Sequence, residues 1–504
     1  MVYENFGHMN VYFFEIIIMT IKKLLMSSMC SAMILLSNQC FAKTDLKNLP
    51  SYETWLEHAS YLEKFWLHKD ARGVPEGNFP TWRCNDGTLR NKKLCPYERD
   101  IGQMINITGI DFVRMNTRQT FAYGALFNIT GNKEALRLHK AGVKFLLEKI
   151  KDKEGGFHVL LENGEPLSWP NDAPFTDYRL ARTSQDLSYV LMALSMNAYL
   201  THDPKIIEEL REAQKYIYDT YYDKEKGIIR WCFSDTYFDK KEQIELVAML
   251  DQLNAYLLLS WRLMPQTYRS EWGEVIRKTI DDMNKNFYTK KLNRFYGCTH
   301  DKSCFDTENG RHMDNGHRVK TFWMEYLAAL GLNDKKLVKF AKKGMIQTLD
   351  GALTKNKNDW YGDDLQRGAD WWVYAELDQA ALTLALSNDY DMPDTLNHWI
   401  NDFTDKEYGE IKNFGLKTWF WRNGFHSTEH ALIGTILSNA IRAKQCTNDK
   451  CRKDNTTTLH FAPVNSKDTS FTPYYYSGDI TSVKHDGQTV SITFKNVDLP
   501  KAVK

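Results

Sequence analysis

From about residue 51 to residue 443, apolar positions recur at spacings of three and four, separated by polar breaks that carry glycine. Twelve segments follow this pattern: 51–68, 111–131, 133–151, 181–202, 204–222, 243–264, 267–289, 316–333, 335–349, 368–389, 393–406 and 424–443. Each predicts a helix. Short connectors such as Thr130-Gly131-Asn132 and Thr201-His202-Asp203-Pro204 join them in pairs. Each pair is followed by a loop with glycine and aromatic residues: GNFPTW from Gly77, GGFHVL from Gly155, GIIRWCF from Gly227, NRFYG from Asn293, DWYG from Asp359 and YGEI from Tyr408. The unit recurs roughly every 60 residues, an internal repeat. Six helical hairpins can close into an all-α ring with one helix of each pair facing the axis. Such inner helices are covered on both sides, which explains their apolar character all round. The loops then gather at one end of the ring and form a pocket.

The two ends of the chain depart from the pattern. Residues 1–42 read as a targeting segment. Lys22 and Lys23 precede a short apolar run from Leu24 to Leu36, and Ala42 supplies a small residue for cleavage. Met19 fits as the true start, with Glu15 interrupting the apolar stretch before it. Export to the periplasm or the exterior is the expected consequence. The body is expected over 43–445, with a strand-rich extension over 446–504, where TVSITF alternates and Asp486-Gly487 suggests a hairpin.

Charge narrows the options. Lys and Arg number 65 against 64 Asp and Glu, so nothing global favours nucleic acid or an anionic membrane. No further apolar run is long enough to span a bilayer, so no membrane association is expected once the leader is removed. Aromatic residues reach 13%, which suits stacking on sugar rings and equally suits a bulky helical core. Of nine cysteines, Cys30 and Cys40 leave with the leader and Cys232 stands alone. The other six form close pairs, Cys84 with Cys95, Cys298 with Cys304 and Cys446 with Cys451, as disulfides of an oxidising compartment would.

Residues able to carry chemistry sit where inner helices begin. Gly316-His317 opens one and Gly424-Phe425-His426 another, with Trp371, Trp372 and Glu376 between them. Arg118, Gln185, Gln252 and Asn254 occupy the first three inner segments, and Trp421 precedes the last. Two imidazoles can exchange a proton with a carbon acid beside a carbonyl. A guanidinium can hold the developing enediolate oxygen, and indole faces can hold a sugar. Each also has a plainer reading, as helix cap, ion pair or core.

The chain resembles the N-acylglucosamine 2-epimerase superfamily, which includes cellobiose 2-epimerases and mannose-type aldose–ketose isomerases. The resemblance spans about residues 51–443 and rests on YLEKFW (61–66), RQTFAYGALFNITGN (118–132), EGGF (154–157), QDLSYVLMAL (185–194), NGHRVKTFWMEYLAALG (315–331), DWWVYAELDQAAL (370–382) and WFWRNGFHSTEHAL (419–432). It implies an (α/α)6 barrel and cofactor-free proton abstraction at C2 of an opened mono- or oligosaccharide. It places His426 as the C2 base, His317 as the second acid/base, Arg118 as the substrate-positioning arginine and Glu376 as the carboxylate after the Trp pair. The oligomeric state is left open.

Three departures accompany the resemblance. The third inner segment, QLNAYLLLSW, lacks the histidine that many members carry there. Lys320 replaces a glutamate after the first histidine, and Glu429 replaces an arginine after the second. The exchange suggests an inverted Lys320–Glu429 ion pair. A rival motif, HxxEH at His426-Ser427-Thr428-Glu429-His430, spells an inverted zinc site. It lacks the usual downstream glutamate, so no metal is expected. Two other readings remain: a glycoside hydrolase or lyase on the same ring, using carboxylates such as Asp314, Asp370 and Glu376, and a non-catalytic sugar-binding relative.

Overall fold

The computed structural model describes residues 44–90, 95, 110–166, 182–231, 244–297, 312, 314–412, 415–419 and 421–503. The expected leader and Cys30, Cys40, Cys232, Cys298 and Cys304 lie outside the described residues. The protein is mostly helical, with 54% helix and 13% strand.

In chain order the helices are α1 (Tyr52–Trp66), then the pairs α2 (Val113–Thr130) and α3 (Lys133–Phe145), α4 (Ser184–Thr201) and α5 (Pro204–Tyr221). Next come α6 (Leu246–Gln252), which runs through a π-turn at Leu253–Leu257 into α7 (Leu258–Trp261), and its partner α8 (Gln266–Asn286). The pairs α9 (Asn315–Gly331) with α10 (Lys335–Ala352) and α11 (Trp371–Leu386) with the short α12 (Thr395–His398) follow. The chain then forms α13 (Phe425–Lys444) and α14 (Asp449–Asp454). Elements α1 to α13 coincide with the twelve periodic segments to within a few residues, once the π-turns Leu146–Ile150 and Trp399–Phe403 are joined to α3 and α12. Local chemistry sets the boundaries. The side chains of Ser51, Asn132, Thr183, Asp203, Asp314 and Asp334 accept hydrogen bonds from backbone amides of the turns they cap. Gly131 and His202 end α2 and α4 in the left-handed conformation.

Burial separates the helices into two kinds. Every residue of α4 is buried, and α2, α6/α7, α9, α11 and α13 are nearly so, whereas α3, α5, α8 and α10 bury one face only. The buried helices pack in sequence, α2 on α4, α4 on α6, α7 on α9, α9 on α11 and α11 on α13, and α13 returns to α2. Covering both sides of such a helix requires apolar residues all round.

The aromatic loops of the repeat form small antiparallel ladders after the outer helices. Examples are β4 (Tyr222–Asp223) with β5 (Ile228–Ile229) and β6 (Tyr288–Thr289) with β7 (Arg294–Phe295). They follow a first sheet of β1 (Ile110–Phe112), β2 (Leu160–Glu162) and β3 (Glu165–Pro166). Isolated bridges Lys151–Phe157, Leu353–Trp360 and Thr404–Ile411 repeat the motif. Gly409 shows what the turn demands: its φ is +82°, and a Cβ there would lie 2.1 Å from the Tyr61 carbonyl oxygen.

After α14, β8 (Thr457–Phe461), β9 (Ser477–Asp486) and β10 (Thr489–Asp498) form an antiparallel sheet in the order β8-β10-β9. It packs on α13 and α2. The segment between β8 and β9 buries Tyr474, Tyr475 and Tyr476. Cys84 with Cys95 and Cys446 with Cys451 are disulfide-bonded, each with Cα atoms 5.5 Å apart.

Candidate active site

A cavity of about 470 Å³ is lined by Arg118, Gln185, Tyr189, Trp231, Glu245, Val247, Asp251, His312, His317, Lys320, Asp370, Trp371, Trp372, Trp419, Trp421 and His426. It brings together residues from all six buried helical segments and from the loops that precede them.

His317 is placed by the cap of α9. Asp314 Oδ1 accepts from the His317 backbone amide at 2.8 Å, and Asp314 Oδ2 meets His317 Nδ1 at 2.7 Å. One carboxylate therefore starts the helix and aims the imidazole. Burial raises the Asp314 carboxyl, but His317 outweighs it and the pKa lies below the ordinary value. His426 stands in the first turn of α13, with Nδ1 3.3 Å from Oε1 of Glu376 on α11. Both imidazoles thus present a carboxylate at Nδ1, which favours a proton there and leaves Nε2 for proton exchange with a ligand. Trp372 is near both, its ring centroid 4.6 Å from His317 and 6.0 Å from His426. Gly316 permits this approach, since a Cβ there would lie 2.6 Å from the Trp372 ring.

The charges behind the wall are interlocked. Lys320 Nζ lies 3.4 Å from Glu376 and 3.6 Å from Asp251. Burial lowers the Lys320 pKa, but the two carboxylates outweigh it and hold the ammonium well above its usual value. Burial raises Glu376 and Asp251, and the Lys320 charge reverses both shifts. Gln185 Nε2 and the Tyr189 hydroxyl donate to Asp251 Oδ2 at 2.7 and 3.0 Å. Burial depresses His426 to about 4 despite the opposing pull of Glu376, so the imidazole is neutral at physiological pH. Arg118 donates to the Trp421 carbonyl at 2.9 Å and stacks its guanidinium 4.1 Å from the Tyr189 ring. Trp421 carries Arg114 over its face at 4.3 Å.

Of the residues singled out in the sequence, His317, His426, Arg118, Gln185, Trp371, Trp372 and Trp421 line the cavity. Gln252, Asn254 and Glu376 do not. Gln252 spends its amide on the Ser184 and Ala248 carbonyls and accepts from Tyr256. Asn254 sits in the π-turn, 2% exposed, its backbone carbonyl taken by Tyr475 and its side-chain amide buried without a partner away from the cavity. Glu376 is fully buried behind His426, a partner of the imidazole rather than of a ligand. The expected Lys320–Glu429 pair is also replaced: Lys320 takes Glu376 and Asp251, and Glu429 receives the Tyr474 hydroxyl at 2.8 Å. The HxxEH motif diverges for the same reason. His430 Nε2 lies 2.9 Å from Asp378 with its ring against Trp399, while His426 and Glu429 face other partners.

Sequence reasoning missed Asp251, His312 and Glu245. Asp251 adjoins Gln252, one step round the helix, and a helix apolar on all sides offers no stripe by which to phase the two. His312 Nδ1 lies 3.2 Å from Glu245, and its ring is 4.6 Å from His317. Burial lowers its pKa, but Glu245 prevails and the imidazole is shifted towards the charged form. The chain thus has a third imidazole at the cavity, delivered by the loop before α9. For Asp314 a signal was present: an aspartate three residues before a histidine at a helix start is capping chemistry.

Residues 100–410 match the sequence profile of a family described as N-acylglucosamine 2-epimerase (GlcNAc 2-epimerase). No curated protein sequence matches. Among solved structures, cellobiose 2-epimerase from Spirochaeta thermophila DSM 6192 is similar with a TM-score of 0.59 at 16% identity, covering 77% of this chain and 96% of that one. Cellobiose 2-epimerase from Bacillus thermoamylovorans B4167 gives 0.58 at 14% identity, covering 76% and 97%. A D-mannose isomerase gives 0.57 at 13% identity, covering 76% and 97%. At these identities the likeness is one of fold.

Proposed function

The chain belongs to the N-acylglucosamine 2-epimerase family, and from that membership we propose that it is a carbohydrate 2-epimerase or aldose–ketose isomerase built on an (α/α)6 barrel with a C-terminal β-rich appendage. The observation that carries the reading is the matched pair of imidazoles. His317 and His426 each hold a carboxylate at Nδ1, approach the same Trp372 ring, and line one cavity.

His426, neutral at physiological pH, takes the C2 proton of the opened aldose on Nε2. The C–H electron pair becomes the enediolate double bond, and negative charge moves to the carbonyl oxygen at C1. Arg118 holds that oxygen. Glu376 stabilises the imidazolium as it forms, which offsets the burial that makes His426 a weak base. A proton carried on His317 Nε2 goes to the other face of C2 to give the epimer while His426 releases the one it took to solvent, or His426 delivers its proton to C1 as the C2 hydroxyl gives up its own to become the ketose carbonyl. Trp371, Trp372 and Trp421 supply flat walls for the sugar, and Gln185 joins Asp251 at its edge. The reaction as drawn needs no cofactor.

Hydrolysis finds less support. Of the carboxyls at the site, Asp314 is committed to His317, Glu376 to His426 and Lys320, Asp251 to Lys320 and Gln185, and Glu245 to His312, which leaves Asp370 without an uncommitted partner for glycosidic cleavage. Export to the periplasm or the exterior is supported by the two disulfides, and no helix among the described residues is long and apolar enough to cross a membrane. The test is product analysis by NMR after incubation with free aldoses and short β-linked disaccharides. A new epimer or ketose of unchanged chain length, lost in H317N and H426N, is expected. Release of a shorter glycan would replace this reading with hydrolysis.

A further inference from the structure

The mechanism leaves one buried ionisable group without a role. Glu429 lies three residues beyond His426 on α13 and is fully buried. Its Oε1 meets the Tyr474 hydroxyl at 2.8 Å, and its Oε2 has no hydrogen-bond partner. The cation nearest in charge, Lys320, is taken by Glu376 and Asp251. A carboxyl sealed from water without a cation of its own is held neutral, because ionising it there costs far more than in solvent. Burial, reinforced by the Glu376 charge, pushes Glu429 up to about 8.

Tyr474 comes from the C-terminal extension, beyond the segment matched by the family profile. Its backbone amide is held by the Tyr199 hydroxyl at 2.9 Å, Tyr475 reaches the Asn254 carbonyl, and Tyr476 meets Thr383 at 2.8 Å. The extension thus places three tyrosines against three different buried helices. Glu429 faces Glu376 from α11, Lys320 from α9 and Tyr474, Tyr475 and Tyr476 from the extension. Other titratable groups on the elements around α13 are engaged elsewhere: Arg118 with Trp421, His58 with Thr404, His430 with Asp378, His460 with Ser491 and Asp498 with Lys444.

We propose that Tyr474 and Glu429 form a positioning device for the base: the C-terminal extension fixes an uncharged carboxyl beside His426 and so reserves Lys320 for the anionic Glu376 that supports the imidazole. This rests on the reading of His426 as the C2 base. A second anion at Glu429 would compete for Lys320 and loosen Glu376 from His426. The glutamate is thereby compatible with a working site, because burial and the Glu376 charge keep it neutral while the tyrosine fixes its position.

The test uses the whole chain with Y474F and E429Q, two conservative variants. Infrared difference spectra follow the protonated carboxyl band of Glu429. Solvent deuterium exchange at C2 of the aldose turned over best follows the base. In the wild type the band is present at pH 7, titrates away near pH 8, and the exchange rate falls over the same interval. Tyr474 lowers the Glu429 pKa as a donor, so Y474F moves both midpoints upward, whereas E429Q removes the band and the alkaline inflection together. A tyrosine that merely packs would scale the rate at every pH and leave the midpoint in place, and that result overturns the proposal. So does the absence of a Glu429 band at pH 7. Should no sugar exchange at all, the catalytic reading fails while the band and its shift in Y474F still decide whether the tyrosine governs the carboxyl.

Discussion

Replacement of Glu376 by glutamine isolates the electrostatic part of the proposed base. The carboxylate lies 3.3 Å from His426 Nδ1 and is fully buried. At that separation two unit charges attract by about 5 kcal/mol at an effective dielectric of about 20. A neutral amide can still offer its oxygen to Nδ1, an interaction worth about 1–1.5 kcal/mol. The difference, about 3.5 kcal/mol, falls on the imidazolium that forms in the transition state and corresponds to a drop in kcat of about 10²–10³-fold. KM should change little, because Glu376 does not line the cavity. Glu376 raises the His426 pKa against burial, so the acid limb of kcat/KM, near pH 4 in the wild type, moves to lower pH in E376Q. Steady-state kinetics carried from pH 8 down to below pH 4 read both effects. A variant that loses KM with kcat intact, or whose acid limb moves upward, would refute the assignment of Glu376 as the partner of the base.

Further outcomes follow from the same geometry. G316A places a methyl group against Trp372 and should displace the ring near the two histidines, with a kcat loss that G351A, an exposed glycine with nothing within 4 Å, does not share. K320M removes the cation between Asp251 and Glu376 and should destabilise the fold by about 3–5 kcal/mol, measured by urea unfolding. Glu325 and Glu429 are both raised by burial to about 8. Their contribution to stability is complete below the unfolded carboxyl pKa and is lost as pH rises towards 8, because the folded state binds the extra protons. Between pH 6.5 and 8 unfolding free energy should therefore fall with rising pH, and E325Q or E429Q should each remove about 1.4 kcal/mol per pH unit of that slope. Cys84, Cys95, Cys446 and Cys451 should resist a thiol reagent in the native chain until reductant is added.

The helices were legible in the sequence because burial on one or both sides leaves a periodic mark, and the pairing of segments followed from connectors such as Gly131 and His202 that the structure shows in the left-handed conformation. His317 and His426 were legible because both open buried helices. The electrostatic partners were not. Lys320, Asp251, Glu376 and Glu429 lie on three-dimensionally adjacent helices whose rotational phase no apolar stripe reports, so charge exchange alone misassigned Glu429 to Lys320. Tyr474 was invisible for another reason: a strand-rich extension gives no hint from its own pattern that the segment between two strands packs among the buried helices.

The most direct test of the central claim is solvent deuterium wash-in at C2 of a panel of aldoses in heavy water, followed by mass spectrometry and NMR. The account predicts label at C2 with the wild type, abolished in H426N, and in H317N exchange at C2 that outruns formation of the epimer, since abstraction survives while the opposite-face proton donor is gone. Product formed without any solvent label at C2, or label that persists undiminished in H426N, would contradict it.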